Sequence, residues 1–209
     1  MLLEDAVGRH RIAGDLEAEA EWLPSLALAS AYAGDPEGAA TAAQSALERA
    51  SDDAGRAAAL DALALADYAQ KQWVQAIEHA ELSIALCEKV GIADGAGYTE
   101  NFLGIAKFRI GDRDGARRAL EKASEIGAQI GNPRLEGFAE FNLARVLDEQ
   151  SARTYALRAR TLLDSSSGDS RQAAEALVAA LDPSADSVSR QQALGRCSAA
   201  ASQVPDLLA

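Results

Sequence analysis

Gly97-Tyr98-Thr99-Glu100-Asn101-Phe102-Leu103-Gly104 returns forty residues later as Gly137-Phe138-Ala139-Glu140-Phe141-Asn142-Leu143-Ala144. The pair Leu63-Ala64 keeps the same spacing upstream, and Ser51, Gly91 and Gly131 take loop positions on the same period. A period of this length filled by two helical patterns marks a repeat array, in which each unit buries its apolar face against the next.

The turns divide the chain into helices. Gly14-Asp15, Gly34-Asp35-Pro36, Ser51-Asp52-Asp53, Gly111-Asp112, Gly131-Asn132-Pro133 and Ser165-Ser166-Ser167-Gly168-Asp169 each interrupt a helical pattern. In these runs glycine can end one helix in the left-handed region while Asp, Asn or Ser caps the next. The spacing predicts helices over 16–33, 36–50, 54–70, 73–90, 94–110, 113–130, 134–149 and 152–164. Apolar side chains recur at i, i+3 and i+4 within them, as in Leu60, Leu63, Ala64 and Tyr68, then Trp73, Ala76, Ile77, Ala80 and Ile84. Short connections make neighbouring helices antiparallel hairpins.

Composition agrees. Apolar residues make up 48% of the 209, enough for a continuous core, and the scarcity of aromatics (5%) beside abundant alanine favours close helix packing. The net charge of −12 resides in residues 1–100, which hold 18 acidic and 6 basic side chains; residues 101–209 hold 14 of each. Such an acidic half repels phosphate backbones, so no nucleic acid is expected as a ligand. The first reading of this charge is solubility; the alternative is a docking surface for a basic partner on the N-terminal half. No apolar run reaches the length of a membrane span, and Met1-Leu2-Leu3 passes at once to Glu4-Asp5, so the expectation is a cytoplasmic protein with no membrane partner. Cys87, among Ile84, Leu86 and Val90, reads as a reduced core residue.

The hairpins resemble tetratricopeptide repeats, whose pattern is a Leu-Gly/Ala pair on helix A, Gly-Asp at the turn and a small residue early in helix B. The third unit carries Leu103-Gly104, Phe108, Gly111-Asp112, Ala116 and Leu120; the first carries Leu26-Ala27, Tyr32, Gly34-Asp35, Ala39, Ala46 and Leu47. The second has Leu63-Ala64, Tyr68, Trp73, Ala76 and Ile77, with Lys71-Gln72 in place of Gly-Asp. The fourth keeps Leu143-Ala144, Ala156 and Leu163 but reads Gln150-Ser151-Ala152 at the turn. Small residues at Ala27, Ala64, Gly104 and Ala144 should let helix A approach Ala39, Ala76, Ala116 and Ala156. The long period is similar to that of arrays in bacterial signalling and transcription regulators.

The resemblance implies an all-α fold, a right-handed α-α superhelix (a tetratricopeptide-like solenoid) of about four helix pairs with capping helices. The divisions are a capping helix in 1–15, repeats at 16–50, 54–90, 94–130 and 134–164, and capping helices with a fraying tail in 165–209. It further implies a non-enzymatic scaffold or adaptor that binds a protein or peptide in a concave groove lined by the A helices. The mapped positions are Asp61, Leu65, Tyr68, Tyr98, Asn101, Ile105, Arg109, Phe138, Phe141, Asn142, Arg145 and Asp148. There the asparagines could bond a peptide backbone and the arginines its carboxylates. The alternative is a peptide- or ligand-sensing module of a larger bacterial regulator. The basic and amide clamp by which some co-chaperones hold a terminal carboxylate is not reproduced, since Asp61 and Leu65 occupy its positions.

Nothing in the sequence assembles a catalytic or metal centre, and no cofactor is expected. His10 and His79 stand far apart, and His79, beside Glu78 and Glu81, reads as a solvated surface residue. The glycines of 91–97 lack the Lys-Ser/Thr ending of a phosphate loop. Arg109, Arg113, Arg117, Arg118 and Lys122 interleave with Asp112, Asp114, Glu121 and Glu125, the pattern of a solvated face.

Overall fold

The structure is a computed structural model that describes residues 9, 12, 16–147, 149–165, 168–204 and 207. The capping helix expected in 1–15 lies, apart from residues 9 and 12, outside the described residues, as do His10 and Asp148. Among the described residues there are ten helices: α1 (Leu16–Tyr32), α2 (Pro36–Arg49), α3 (Asp53–Ala69), α4 (Trp73–Val90), α5 (Ala93–Arg109), α6 (Arg113–Ile130), α7 (Pro133–Val146), α8 (Glu149–Leu162), α9 (Gly168–Ala180) and α10 (Ser187–Ala201). The chain divides into two compact units, Met1–Thr99 and Glu100–Ala209, with the division falling within α5.

One turn geometry recurs at five connections. The amides of Asp35, Gln72, Ile92, Asp112 and Asn132 donate to the carbonyls of Ser30, Asp67, Cys87, Lys107 and Gly127, five residues back. Each turn needs one left-handed residue, supplied by Gly34 (φ 80°), Gly91 (79°), Gly111 (85°) and Gly131 (68°). At Lys71-Gln72 of the second repeat the same conformation is forced on Lys71 (φ 63°), at a steric cost that glycine avoids. The next helices start on side-chain caps: Asp35, Asp52, Asp112, Asn132 and Asp186 accept the amides of Gly38, Gly55, Gly115, Leu135 and Ser189 at 2.7–3.0 Å.

The fourth pair departs from this pattern. α7 stops at Val146, with Leu147 extended (φ −85°, ψ 171°), and α8 begins at Glu149. The turn therefore comes before Gln150-Ser151, not at it. No glycine is available there to continue the left-handed turn.

Packing inside each unit follows the small residues. In the first, α1 packs on α2 and α3, α2 on α3, and α3 on α4. Its core joins Leu23, Ala27, Ala43, Ala46, Ala62 and Leu63. In the second, α6 packs on α7, α7 on α8, α8 on α9, and α9 on α10. Ala27, Ala39, Ala64, Ala76, Ala116, Ala144 and Ala156 are all buried. At Gly104 an added Cβ would lie 2.5 Å from Leu120 Cγ and 3.1 Å from the Ala116 carbonyl oxygen, so only hydrogen fits between α5 and α6. Past α10 the described tail residues Val204 and Leu207 are buried, where fraying was expected.

Candidate functional site

The A helices α3, α5 and α7 carry the mapped groove positions at i, i+3 and i+4 spacings, which puts those of one helix along one stripe. In the first unit Asp61, Leu65, Tyr68 and Tyr98 are half-buried. Asp61 Oδ1 accepts the Thr99 hydroxyl at 2.7 Å, and that hydroxyl also lies 3.0 Å from the Gly95 carbonyl oxygen. Burial pushes the Asp61 carboxyl above its ordinary value, against the lowering effect of the Thr99 bond. The Tyr68 ring meets Trp73 edge-on, with centroids 4.8 Å apart, and so ties α3 to α4.

In the second unit most of the mapped residues are inside. Asn101, Phe138, Phe141 and Asn142 have no exposed surface and Ile105 is 1% exposed. Asn142 Nδ2 donates to Asn101 Oδ1 at 2.8 Å, a buried amide–amide hydrogen bond between α5 and α7. These two amides bond each other, which is the partner a buried amide requires. The Arg134 guanidinium lies over the Phe138 ring, 5.1 Å from its centroid. Arg109 is exposed, and half-buried Arg145 reaches Cys197 Sγ at 3.7 Å. Burial pushes the Cys197 thiol up, with Arg145 opposing. The surface-accessible groups of the mapped set are thus Asp61, Leu65, Tyr68 and Tyr98 in one unit, and Arg109 and Arg145 in the other.

Two polar contacts carried no signal in the repeat pattern. His79 is not a solvated residue: its Nδ1 lies 2.7 Å from Asp67 Oδ2, joining α4 to α3. The turn pattern could not show that Asp67, one residue before Tyr68, faces helix B. The second is Glu140 on α7, 2% exposed. Its Oε1 accepts the Ser124 hydroxyl at 2.9 Å and lies 3.4 Å from Arg158 Nη1, while Oε2 has no protein partner. Glu100 and Glu140 share one repeat position, so spacing gives no hint that Glu140 is buried.

Burial, the leading cause, pushes the Glu140 carboxyl above the usual range, opposed by Ser124 and Arg158. A raised carboxyl binds its proton more tightly in the folded state, so its contribution to stability falls as pH rises from the unfolded to the folded value. Above that window the protein bears the cost of a desolvated charge. Glu140→Gln removes the charge and keeps the acceptor for Ser124, and Arg158, whose side chain is 56% exposed, returns to water. The variant should melt a few degrees higher than the parent at pH 7.5, with the difference shrinking towards pH 4. Melting curves across that range check it, and a constant difference would contradict the assignment.

The cavities lie elsewhere. One of 740 Å³ in the first unit is lined by Glu21, Pro24, Arg49, Ser51 and Asp52, among others; one of 550 Å³ in the second lies between α9 and α10, beside Asp169, Glu175 and Arg196. Neither lining includes a histidine or cysteine to serve as base or nucleophile. Among the described residues no group of three or more His, Cys, Asp and Glu side chains could hold a metal ion. Among them, too, no helix is long and apolar enough to cross a membrane.

No protein-family model matches the chain, and no curated protein matches it by sequence. Solved structures do. BtubC from P. vanneervenii superposes with a TM-score of 0.72 at 16% identity, over 97% of this chain and 85% of that one. A Rap protein complexed with Competence and Sporulation Factor gives 0.72 at 15% identity over 89% of this chain, which spans only 55% of the Rap chain. Nearly identical TPR-like repeats from Podosopora anserina give 0.62 at 18% identity, covering 87% of this chain and 92% of that one. Identities this low speak to architecture alone, and with the hairpins, turns and small-residue contacts described above they establish that the chain has the all-α, tetratricopeptide-like repeat fold.

Proposed function

We propose that this chain is a non-enzymatic, cytoplasmic scaffold that binds a protein or peptide on the A-helix faces of its units. The observation that carries the reading is a division of labour along the repeat. Positions that pack helix on helix are alanine or glycine in every hairpin, whereas the accessible A-helix positions vary from Asp61, Leu65 and Tyr68 to Arg109 and Arg145. The accessible positions therefore offer distinct chemistry that a ligand could read, while the packing positions stay uniform. Asn101, Ile105, Phe138, Phe141 and Asn142 then act beneath the surface, holding α5 and α7 so that their accessible neighbours keep fixed positions; Asp148 belongs to the same mapped set. Helices α9 and α10 serve as the cap of the second unit.

Affinity capture tests the reading. The intact chain should recover a specific protein, and Arg109→Glu with Arg145→Gln should weaken its recovery about tenfold while leaving the melting curve in place, since a charge-assisted contact is worth about 1.5–3 kcal/mol. Undiminished recovery by the folded variant would remove these arginines from the account. One protein of similar fold, from Bacillus subtilis, bears the name aspartyl phosphate phosphatase F. Release of phosphate from an aspartyl-phosphate protein is therefore the activity whose detection would contradict the non-enzymatic assignment.

The second reading, a sensing module of a larger bacterial regulator, draws support from the Rap protein solved with Competence and Sporulation Factor. It predicts a higher melting temperature with a cognate peptide, because a ligand that binds only the folded state stabilises it.

A further inference from the structure

The outer face of α4 departs from an ordinary solvated helix. Ala76, Ala80, Ser83, Ile84 and Cys87 are buried on one side. On the opposite side, within about a third of the helix circumference at 100° per residue, lie Val74, Glu78, Glu81, Leu82, Ala85, Glu88 and Lys89, all exposed. Val74 and Leu82 present 58% and 55% of their surface to water. Single exposed apolar residues are commonplace, but here two flank a run of glutamates on one stripe.

The chain contains its own comparison. One period on, α6 carries Asp114 and Lys122 where α4 carries Val74 and Leu82, and Arg118 where α4 carries Glu78. The B-helix position thus folds well with charged groups of both signs, and elsewhere on α6 opposite charges pair, as in Arg117 Nη1 to Glu121 Oε1 at 2.9 Å. On α4 the stripe instead joins two half-exposed aliphatic side chains to exposed carboxylates, with Lys89 at its end. Lys89 is committed elsewhere: its Nζ lies 2.6 Å from Asp53 Oδ2 and holds that carboxyl below its ordinary value. The stripe belongs to the half of the sequence that holds the whole net charge of −12.

We propose that the outer face of α4 is a docking surface for a basic amphipathic segment of a protein, whose apolar side chains cover Val74 and Leu82 while its lysines or arginines meet Glu78, Glu81 and Glu88. Charge complementarity selects the occupant, because an acidic or phosphate-bearing surface is repelled by these carboxylates. The surface is distinct from the A-helix faces, so either assignment can fail alone.

The probe is a fluorescein-labelled, helix-forming Lys/Leu peptide with the two residue types on opposite faces, compared by anisotropy with a Glu/Leu peptide of the same pattern. The intact chain should bind the first and not the second. Val74→Asp with Leu82→Lys substitutes the residues α6 uses and leaves the net charge unchanged, one substitution adding a negative and the other a positive charge. It should weaken binding about tenfold, the scale expected for losing cover of two aliphatic side chains. Glu78→Gln with Glu81→Gln should weaken binding mainly at low salt and flatten its salt dependence. Equal affinity of the charge-neutral variant would reduce the attraction to diffuse charge and overturn the proposal. So would equal binding of the Glu/Leu peptide, no binding of the Lys/Leu peptide, or capture of the chain by phosphatidylserine vesicles.

Discussion

Gly127→Val should lower the stability of this protein by about 3 kcal/mol, near the upper end for overpacking a close-packed interior. Gly127 sits in α6 against the first turn of α7. A Cβ there would lie 2.6 Å from the Glu136 amide nitrogen and 3.0 Å from its Cα, so the obstruction is backbone and cannot swing aside. Gly127→Ala sets two effects against each other. Helix propensity favours alanine by about 1 kcal/mol, yet relieving the overlap requires α7 to move off α6, and the clash should win. Gly195 on α10 is the control, since a Cβ there meets nothing within 4 Å. Gly195→Ala should therefore raise stability by about 0.5–1 kcal/mol, the propensity gain alone. Opposite signs in denaturant melts would show that glycine serves close helix approach at one position and nothing at the other; a stabilising Gly127→Ala would contradict the packing described.

Phe141→Ala should cost about 3–5 kcal/mol, the range for emptying an aromatic site in a core. Its side chain is fully buried on α7 beside the Asn101–Asn142 bond. Asn142→Ala should cost less, about 1–3 kcal/mol, for losing the buried hydrogen bond to Asn101 among its contacts. Urea titrations give both numbers. A ligand-contacting Phe141 would instead leave stability nearly unchanged and reduce only binding, so a mild Phe141→Ala would return that residue to the surface set.

Helix boundaries were legible because turn chemistry is local. A glycine that must adopt positive φ and an Asp that must cap three residues on leave their marks at fixed offsets, and those marks place α2 through α6 within a residue of their observed ends. The fourth hairpin was less legible for the same reason: without Gly-Asp, nothing in the sequence places the turn at Leu147. Side-chain burial on the A helices is a different matter. The repeat position tells which stripe of a helix a residue joins, but Asp61 half-exposed, Asn101 sealed and Phe141 sealed occupy one repeat position with three different surroundings. What decides among them is the neighbouring hairpin. Thr99 meets Asp61, Asn142 meets Asn101, and such pairings 38 and 41 residues apart leave no trace in any single repeat. Glu140 shows the same limit, since only the tertiary contacts of Ser124 and Arg158 distinguish it from Glu100.

In the proposed function the accessible A-helix residues hold a protein ligand while the buried ones hold the helices. Quantitative capture by the intact chain, beside the Arg109→Glu/Arg145→Gln variant and a Leu65→Glu variant, measures it directly. One reproducible partner is expected for the intact chain, depleted in both variants, with melting temperatures unchanged. Recovery of the same partner at the same level by both folded variants, or of none by the intact chain, would contradict it.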